Sequence, residues 1–143
     1  MSDPQSVAEA SARAMYGQDR ASQALGMRVL EVRPGYARLA MRVREDMVNG
    51  HQLCHGGLIF TLADSAFAFA CNTYDLVTVA SAATVEFLLS ARLGDELTAI
   101  AEERSRSKRT GIYDVTVNNQ RGECVALFRG RSHQLGGSVT ATP

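Results

Sequence analysis

The sequence predicts an α+β fold in which a curved antiparallel sheet wraps one long apolar helix. Three observations carry this expectation. The run from Leu58 to Cys71 is apolar except for Thr61, Asp64 and Ser65, and it is shorter than a membrane span needs. Extended segments with alternating apolar and polar residues lie on both sides of that run. At 143 residues with 45% hydrophobic and 21% charged side chains, the chain suits one domain with a sizeable core, spanning 1–143.

The elements follow in order. Residues 5–25 place Val7, Ala10, Ala14, Met15, Ala21, Ala24 and Leu25 at helical spacings, interrupted by Gly17, so one or two short helices should end near Gly26. The N-terminal helical segment 1–26 then covers an edge or end of the sheet. Met27–Arg33 and Tyr36–Arg44 flank Pro34-Gly35, a turn signal, and form a hairpin. After the central helix, Asn72–Asp75 ends the apolar run. Val79–Ala91, Glu96–Arg104, Gly111–Asn118 and Glu123–His133 read as strands in a meander, separated by Gly94-Asp95, Ser107–Thr110 and Asn119–Gly122. The tail 136–143 is small and polar and is expected to be mobile.

An apolar helix can bury most of its circumference in such a sheet, but one side stays open. A second copy of the chain is the simplest cover. Fifteen basic and fifteen acidic residues give no net charge, so nothing points to nucleic acid or to an anionic membrane. Three unpaired-looking cysteines and an N-terminus without a secretory pattern favour a cytoplasmic protein.

Residues 49–64 hold the chemistry. A polar loop, Asn-Gly-His-Gln-Leu-Cys-His, runs through Gly56-Gly57 into the apolar helix, where Asp64 is the single carboxylate. Glycines at a helix start leave backbone N–H groups bare toward a ligand, and the aligned peptide dipoles favour negative charge there. An ionised Asp64 among Leu58, Phe60, Leu62, Phe67 and Phe69 is costly unless it has a task or a partner. An anion-stabilising helix end and a misplaced acid suggest carbonyl chemistry.

The spacing adds a constraint. Eight residues of helix separate Gly56 and Asp64 by roughly 12 Å, so one carbonyl cannot touch both in a single copy. Two antiparallel copies beside a twofold axis bring Asp64 of one toward Gly56 of the other. Other readings are weaker. Cys54 beside His55 could suggest a thiolate nucleophile, but neighbours in an extended loop point to opposite sides. His51 and His55 could suggest zinc, but the helix starts after them and no third ligand is evident, so no metal is assigned.

The string Asn49-Gly50-His51-x-x-x-His55-Gly56-Gly57, followed by Leu62-Ala63-Asp64-x-Ala66-Phe67, resembles the hotdog-fold thioesterases. So do Ala14-Met15-Tyr16, Ala24-Leu25-Gly26, Val79–Phe87, Gly94-Asp95, Thr110–Val117 and Val125–His133, so the resemblance spans nearly the whole chain. It implies hydrolysis of an aryl-acetyl thioester of coenzyme A, in particular a ring-hydroxylated phenylacetyl-CoA of phenylacetate degradation, without a separate cofactor. By the same resemblance, Gly56 N–H polarises the thioester carbonyl and Asp64 of a partner attacks it or activates water. Asn49 and His55 hold the loop, orient water or contact the acyl group, and Gly57 and Ser81 lie against the substrate. Relatives often carry a Ser or Thr near the start of the strand after the helix, where Ala80-Ser81 stand here.

The substrate's phosphates need cations, and Arg104, Arg106, Lys108 and Arg109 crowd one hairpin. The resemblance places the nucleotide there, with Arg106, Lys108, Arg109 and Thr110 as its contacts, and Arg suits phosphate through its planar fork. It also implies a homodimer with shared sites that pairs again as a dimer of dimers. Two other functions fit the same residues: an enoyl-thioester hydratase or dehydratase using His55 and Asp64, and a non-catalytic acyl-CoA-binding module.

Overall fold

Local chemistry sets each boundary. The computed structural model describes residues 3–141. Helix α1 (Pro4–Gln18) starts on Asp3, whose carboxylate accepts the Ser6 N–H at 2.9 Å, with Pro4 where no N–H is required. Asp19 separates it from α2 (Arg20–Ala24) and caps that helix by accepting the Ser22 N–H at 3.0 Å. Gly26, at a φ of 71°, then turns the chain into β1 (Arg28–Arg33). The Pro34-Gly35 turn leads to β2 (Tyr36–Arg42), antiparallel to β1 with Arg33 opposite Tyr36.

A short 3-10 turn (Glu45–Met47) and a loop lead to α3 (Gly56–Cys71), the central helix. The remaining strands are β3 (Thr78–Phe87), β4 (Glu96–Ser107), β5 (Thr110–Asn118) and β6 (Cys124–Gln134). All pairings are antiparallel, in the order β1-β2-β4-β5-β6-β3. This is the hotdog arrangement, a curved sheet around a long helix.

The expected meander holds only for β4, β5 and β6. β3 does not pair with the next strand in sequence; it crosses to the far edge beside β6, and β4 returns to lie against β2. β3 also ends sooner than expected. At Leu88 the chain leaves the ladder, with the N–H groups of Leu88 and Leu89 both donating to Val125 O, at 2.9 and 3.2 Å. β4 runs on to Ser107, past the expected Arg104, because a bulge at Arg104 restores its register with β5.

The concave face holds the core. Ile59, Leu62, Ala63, Ala66, Phe67, Phe69 and Ala70 of α3 pack on Leu39, Met41, Leu97, Val115, Val117 and Phe128 from the strands. Full burial of one such large apolar side chain contributes about 1.5–3 kcal/mol. The stripe Gly57, Phe60, Thr61, Asp64 and Ala68 recurs at three- and four-residue intervals on the opposite side of α3 and stays partly or fully exposed.

The C-terminal segment differs from its expected mobility through residue 141. Leu135 N–H and Val77 O pair at 2.8 Å, and Val77 N–H donates to Gly137 O at 3.1 Å. Asp75, at a φ of 61°, accepts from Ser138 Oγ at 2.9 Å and from Thr140 N–H at 2.8 Å. Residues 1–2 of the expected N-terminal segment and 142–143 of the tail lie outside the described residues.

Candidate active site

The loop before α3 is built around Asn49. Its side-chain oxygen accepts the N–H groups of His51 at 2.8 Å and Leu53 at 3.2 Å, while its own N–H donates to Leu53 O at 2.9 Å. Asn49 therefore closes the turn, as Asn favours. The loop is tied at its far end by His55 N–H to Met47 O at 2.9 Å and by Cys54 N–H to Ala91 O at 2.8 Å.

This anchoring fixes the start of the helix. His55 is the N-cap, with its carbonyl accepting from Leu58 and Ile59 and its ring exposed. Its side chain makes no capping bond. The N–H groups of Gly56 and Gly57 find no acceptor among the described residues, so the first turn presents two bare donors. Cys54 lines the same cleft as Gly56. It is buried, its Sγ lies 3.5 Å from His55 O, and burial pushes the thiol up to about 11, which suits a packed thiol and not a nucleophile.

Asp64 lies on the uncovered stripe of α3, half-buried, and its carboxylate makes no hydrogen bond or ion pair among the described residues. Burial raises its pKa above the ordinary carboxylate value of 3.8. Its neighbours do not neutralise it. Phe67 and Phe69 are in the core, whereas Phe60 is half-buried and meets Phe128 edge-on with centroids 5.3 Å apart.

Other anticipated residues are spread over the protomer. Ser81 is the extra residue of a bulge in β3, and its hydroxyl donates to Arg131 O at 3.2 Å. Lys108 and Arg109 form an exposed two-residue turn between β4 and β5, with Lys108 at a φ of 56°. Thr110 Oγ1 donates to Ser107 O at 3.2 Å. Arg106 stacks on Tyr74, its guanidinium carbon 3.6 Å from the ring centroid. Arg104 is committed elsewhere, since it and Arg129 both bind Asp114, at 3.0 and 2.6 Å.

The hairpin and the helix start are far apart in one copy. Along β6, His133 faces Thr110 and Ala126 faces Phe87. Those seven steps correspond to roughly 24 Å. A single copy therefore gathers the loop and the helix start and leaves the hairpin apart from them.

One residue escaped the sequence reading. Phe87, the last residue of β3, places its ring against Gly56, so near that a β-carbon there would lie 3.0 Å from Cζ. The Phe-Leu-Leu run at a strand end was the available signal, but only the crossover of β3 brings it to α3.

Residues 51–126, more than half of the chain, match the family described as the Thioesterase superfamily. The chain belongs to that superfamily and is a thioester hydrolase. It is 49% identical over 130 residues to acyl-coenzyme A thioesterase PaaI of Escherichia coli K12, covering 91% of this chain and 93% of that one. A solved structure of the E. coli PaaI protein from the phenylacetic acid degradation operon superposes with a TM-score of 0.93 at 47% identity, over 95% of this chain and 99% of that chain. A point mutant of the phenylacetic acid degradation protein PaaI from Thermus thermophilus gives 0.78 at 39% identity, over 82% and 100%. A Streptococcus mutans protein bound to acetyl-CoA gives 0.75 at 25% identity, over 78% and 90%. Among the described residues, no helix is long and apolar enough to cross a membrane.

Proposed function

We propose that this hydrolase cleaves aryl-acetyl thioesters of coenzyme A, ring-hydroxylated phenylacetyl-CoA in particular, at sites shared by two copies of the chain. The observation that carries the reading is Asp64: a carboxylate without a hydrogen-bond or ion-pair partner among the described residues, on the uncovered stripe of α3, eight and seven residues from the two bare amides of Gly56 and Gly57. The acyl-CoA substrate class is supported by the similarity to an acyl-CoA thioesterase and by the acetyl-CoA held on a related fold. The aryl-acetyl group is supported by similarity to proteins of phenylacetic acid degradation.

The roughly 12 Å between Gly56 and Asp64 forbids one copy from touching a single carbonyl with both. With two α3 helices antiparallel about a twofold axis, the partner subunit's Asp64 comes opposite this copy's Gly56. The edge of β3, with small side chains at Ala80, Ala82 and Ala83, offers a second chain an unpaired strand to pair with. Such a dimer can pair again as a dimer of dimers.

In that site the thioester oxygen accepts the Gly56 N–H, which stabilises the negative charge that grows on it during attack. Asp64 either attacks the carbonyl carbon or takes a proton from the attacking water. In the first route the C–S bond breaks to leave a mixed anhydride on Asp64, which water then hydrolyses to release the acid and restore the carboxylate. In the second, water adds to the carbonyl directly and the C–S bond breaks. In both, the departing thiolate takes up a proton and one water is consumed. Asn49 holds the loop that aims the amides, and His55 stands exposed beside them as a group for water or the acyl moiety. Gly57 supplies the second bare amide, and Ser81 contributes from β3. Lys108, Arg109 and Thr110, with Arg106 beside them, form the phosphate-binding turn, presented to the substrate by the partner subunit.

The deciding assay measures free thiol from phenylacetyl-CoA and ring-hydroxylated phenylacetyl-CoA with a disulfide reagent. Thiol release by the wild-type protein, lost in Asp64→Asn, supports the reading. Hydration of an enoyl thioester without thiol release, or tight binding without turnover, would replace it.

A further inference from the structure

Phe87 closes one side of a cleft at the start of α3. Measured from the position of a β-carbon on Gly56, its Cζ lies 3.0 Å away and its two Cε atoms 3.3 and 3.4 Å, so the ring rests on the glycine backbone. Any side chain at 56 would displace that ring. The cleft has a volume of about 380 Å³, and its walls include Cys54, Ile59, Phe87, Leu88, Leu89 and Ser90, with no charged residue. Phe87 and Leu88 are 52% and 55% exposed, so neither is packed into the core.

Resting on the function proposed above, we infer that Phe87 is a specificity-determining residue whose ring forms the wall against which the substrate's acyl group lies. When the thioester carbonyl accepts the Gly56 N–H, its substituents can leave in two directions. One leads to the coenzyme A phosphates. The hairpin at Lys108–Thr110 lies roughly 24 Å away along β6 in the same copy, on the C-terminal side of α3, so a nucleotide held on such a turn is remote from Gly56. The coenzyme arm therefore runs out of the cleft toward that remote turn. The acyl group is left with the near side, where Phe87, Leu88, Leu89 and Ile59 stand beside Cys54 and Ser90 in an uncharged wall.

The chemistry of that wall suits an aryl-acetyl group. An aromatic ring at its centre offers stacking or edge contacts to a second ring, and the absence of charge spares an apolar acyl group any desolvation conflict. Phe87 also limits size, because it closes the cleft beside the reacting carbonyl. A shorter side chain at 87 makes room for a larger acyl group while removing neither the Gly56 N–H nor Asp64.

The test is thiol release by wild type, Phe87→Ala, Phe87→Leu and Phe87→Trp on three substrates: acetyl-CoA, phenylacetyl-CoA and 2-naphthylacetyl-CoA. Phe87→Ala should raise the ratio of kcat/KM for the naphthyl over the phenyl substrate by roughly ten-fold or more, and Phe87→Trp should lower it. Inhibition by free coenzyme A should not change. Phe87→Leu supplies the comparison should Phe87→Ala fold poorly, with the melting temperature of each variant measured alongside. A proportional change across all three substrates, in variants that melt like wild type, overturns the assignment. Wild type releasing no thiol from any of the three refutes the proposed function itself, and the assignment of Phe87 falls with it.

Discussion

Phe67 of the central helix lies directly on Gly130 of β6: a β-carbon at 130 would stand 2.8 Å from two of its ring carbons and 2.9 Å from a third. Phe67 also meets Tyr113 and Phe128, with centroids 5.6 and 5.8 Å apart, so the ring has no room to retreat. This contact sets how closely α3, and with it Asp64, approaches the sheet. Gly130→Ala should therefore destabilise the protein by about 1–3 kcal/mol through overpacking, read as a lower denaturant midpoint at unchanged slope. A midpoint equal to wild type would show that the helix can shift without cost.

Asp64 sets up an opposition between activity and stability. Asp64→Asn should lower kcat by about 10²–10⁴ while the oligomer stays intact, because the group that attacks or deprotonates is gone. Unaltered turnover would remove Asp64 from the chemistry.

The same residue predicts a pH effect on folding. Its folded-state pKa is raised above 3.8 by burial, so the folded protein binds that proton more readily than the unfolded chain does. The stabilising contribution is complete below pH 3.8 and is lost as pH rises through the higher folded value. At neutral pH Asp64→Asn should consequently melt above wild type, with the difference shrinking toward zero as pH falls to the unfolded value. Melting curves of both proteins across pH decide it, and a variant less stable than wild type at neutral pH contradicts the burial argument.

Lys108→Ala and Arg109→Ala should mainly raise KM for coenzyme A thioesters and leave kcat close to wild type, since the phosphates are remote from the bond that breaks. On a truncated thioester without the nucleotide the same variants should match wild type. An equal loss on both substrates would place these residues outside phosphate binding.

Asp75→Ala should release the C-terminal segment, because its carboxylate accepts from Ser138 and Thr140 across more than sixty residues of sequence. Burial acts to raise the pKa of Asp75, but the hydrogen bonds from Thr140 and Ser138 together outweigh it and hold the carboxyl below 3.8. The tether is therefore at full strength above that value and weakens as pH falls through the lower folded one. Limited proteolysis at neutral pH should cut the variant near residues 136–141 faster than wild type. Identical digestion would mean that the pairing of Val77 with Leu135 and Gly137 suffices to hold the segment.

Much of this protein can be read from its residues in order. Apolar periodicity located α3 and the hairpin of β1 and β2, and Gly56-Gly57 before an apolar run containing Asp64 located a helix start able to hold an anion, because spacing and backbone chemistry are local properties. The crossover of β3 to the edge beside β6 is a property of the whole sheet, fixed by which faces α3 must bury, and it alone sets Phe87 on Gly56. Tertiary contacts also decided how the cations are engaged: Arg104 pairs with Asp114 and Arg106 stacks on Tyr74. Partners so distant along the chain leave no mark in local sequence, since their pairing energy exists only once the sheet has closed around the helix.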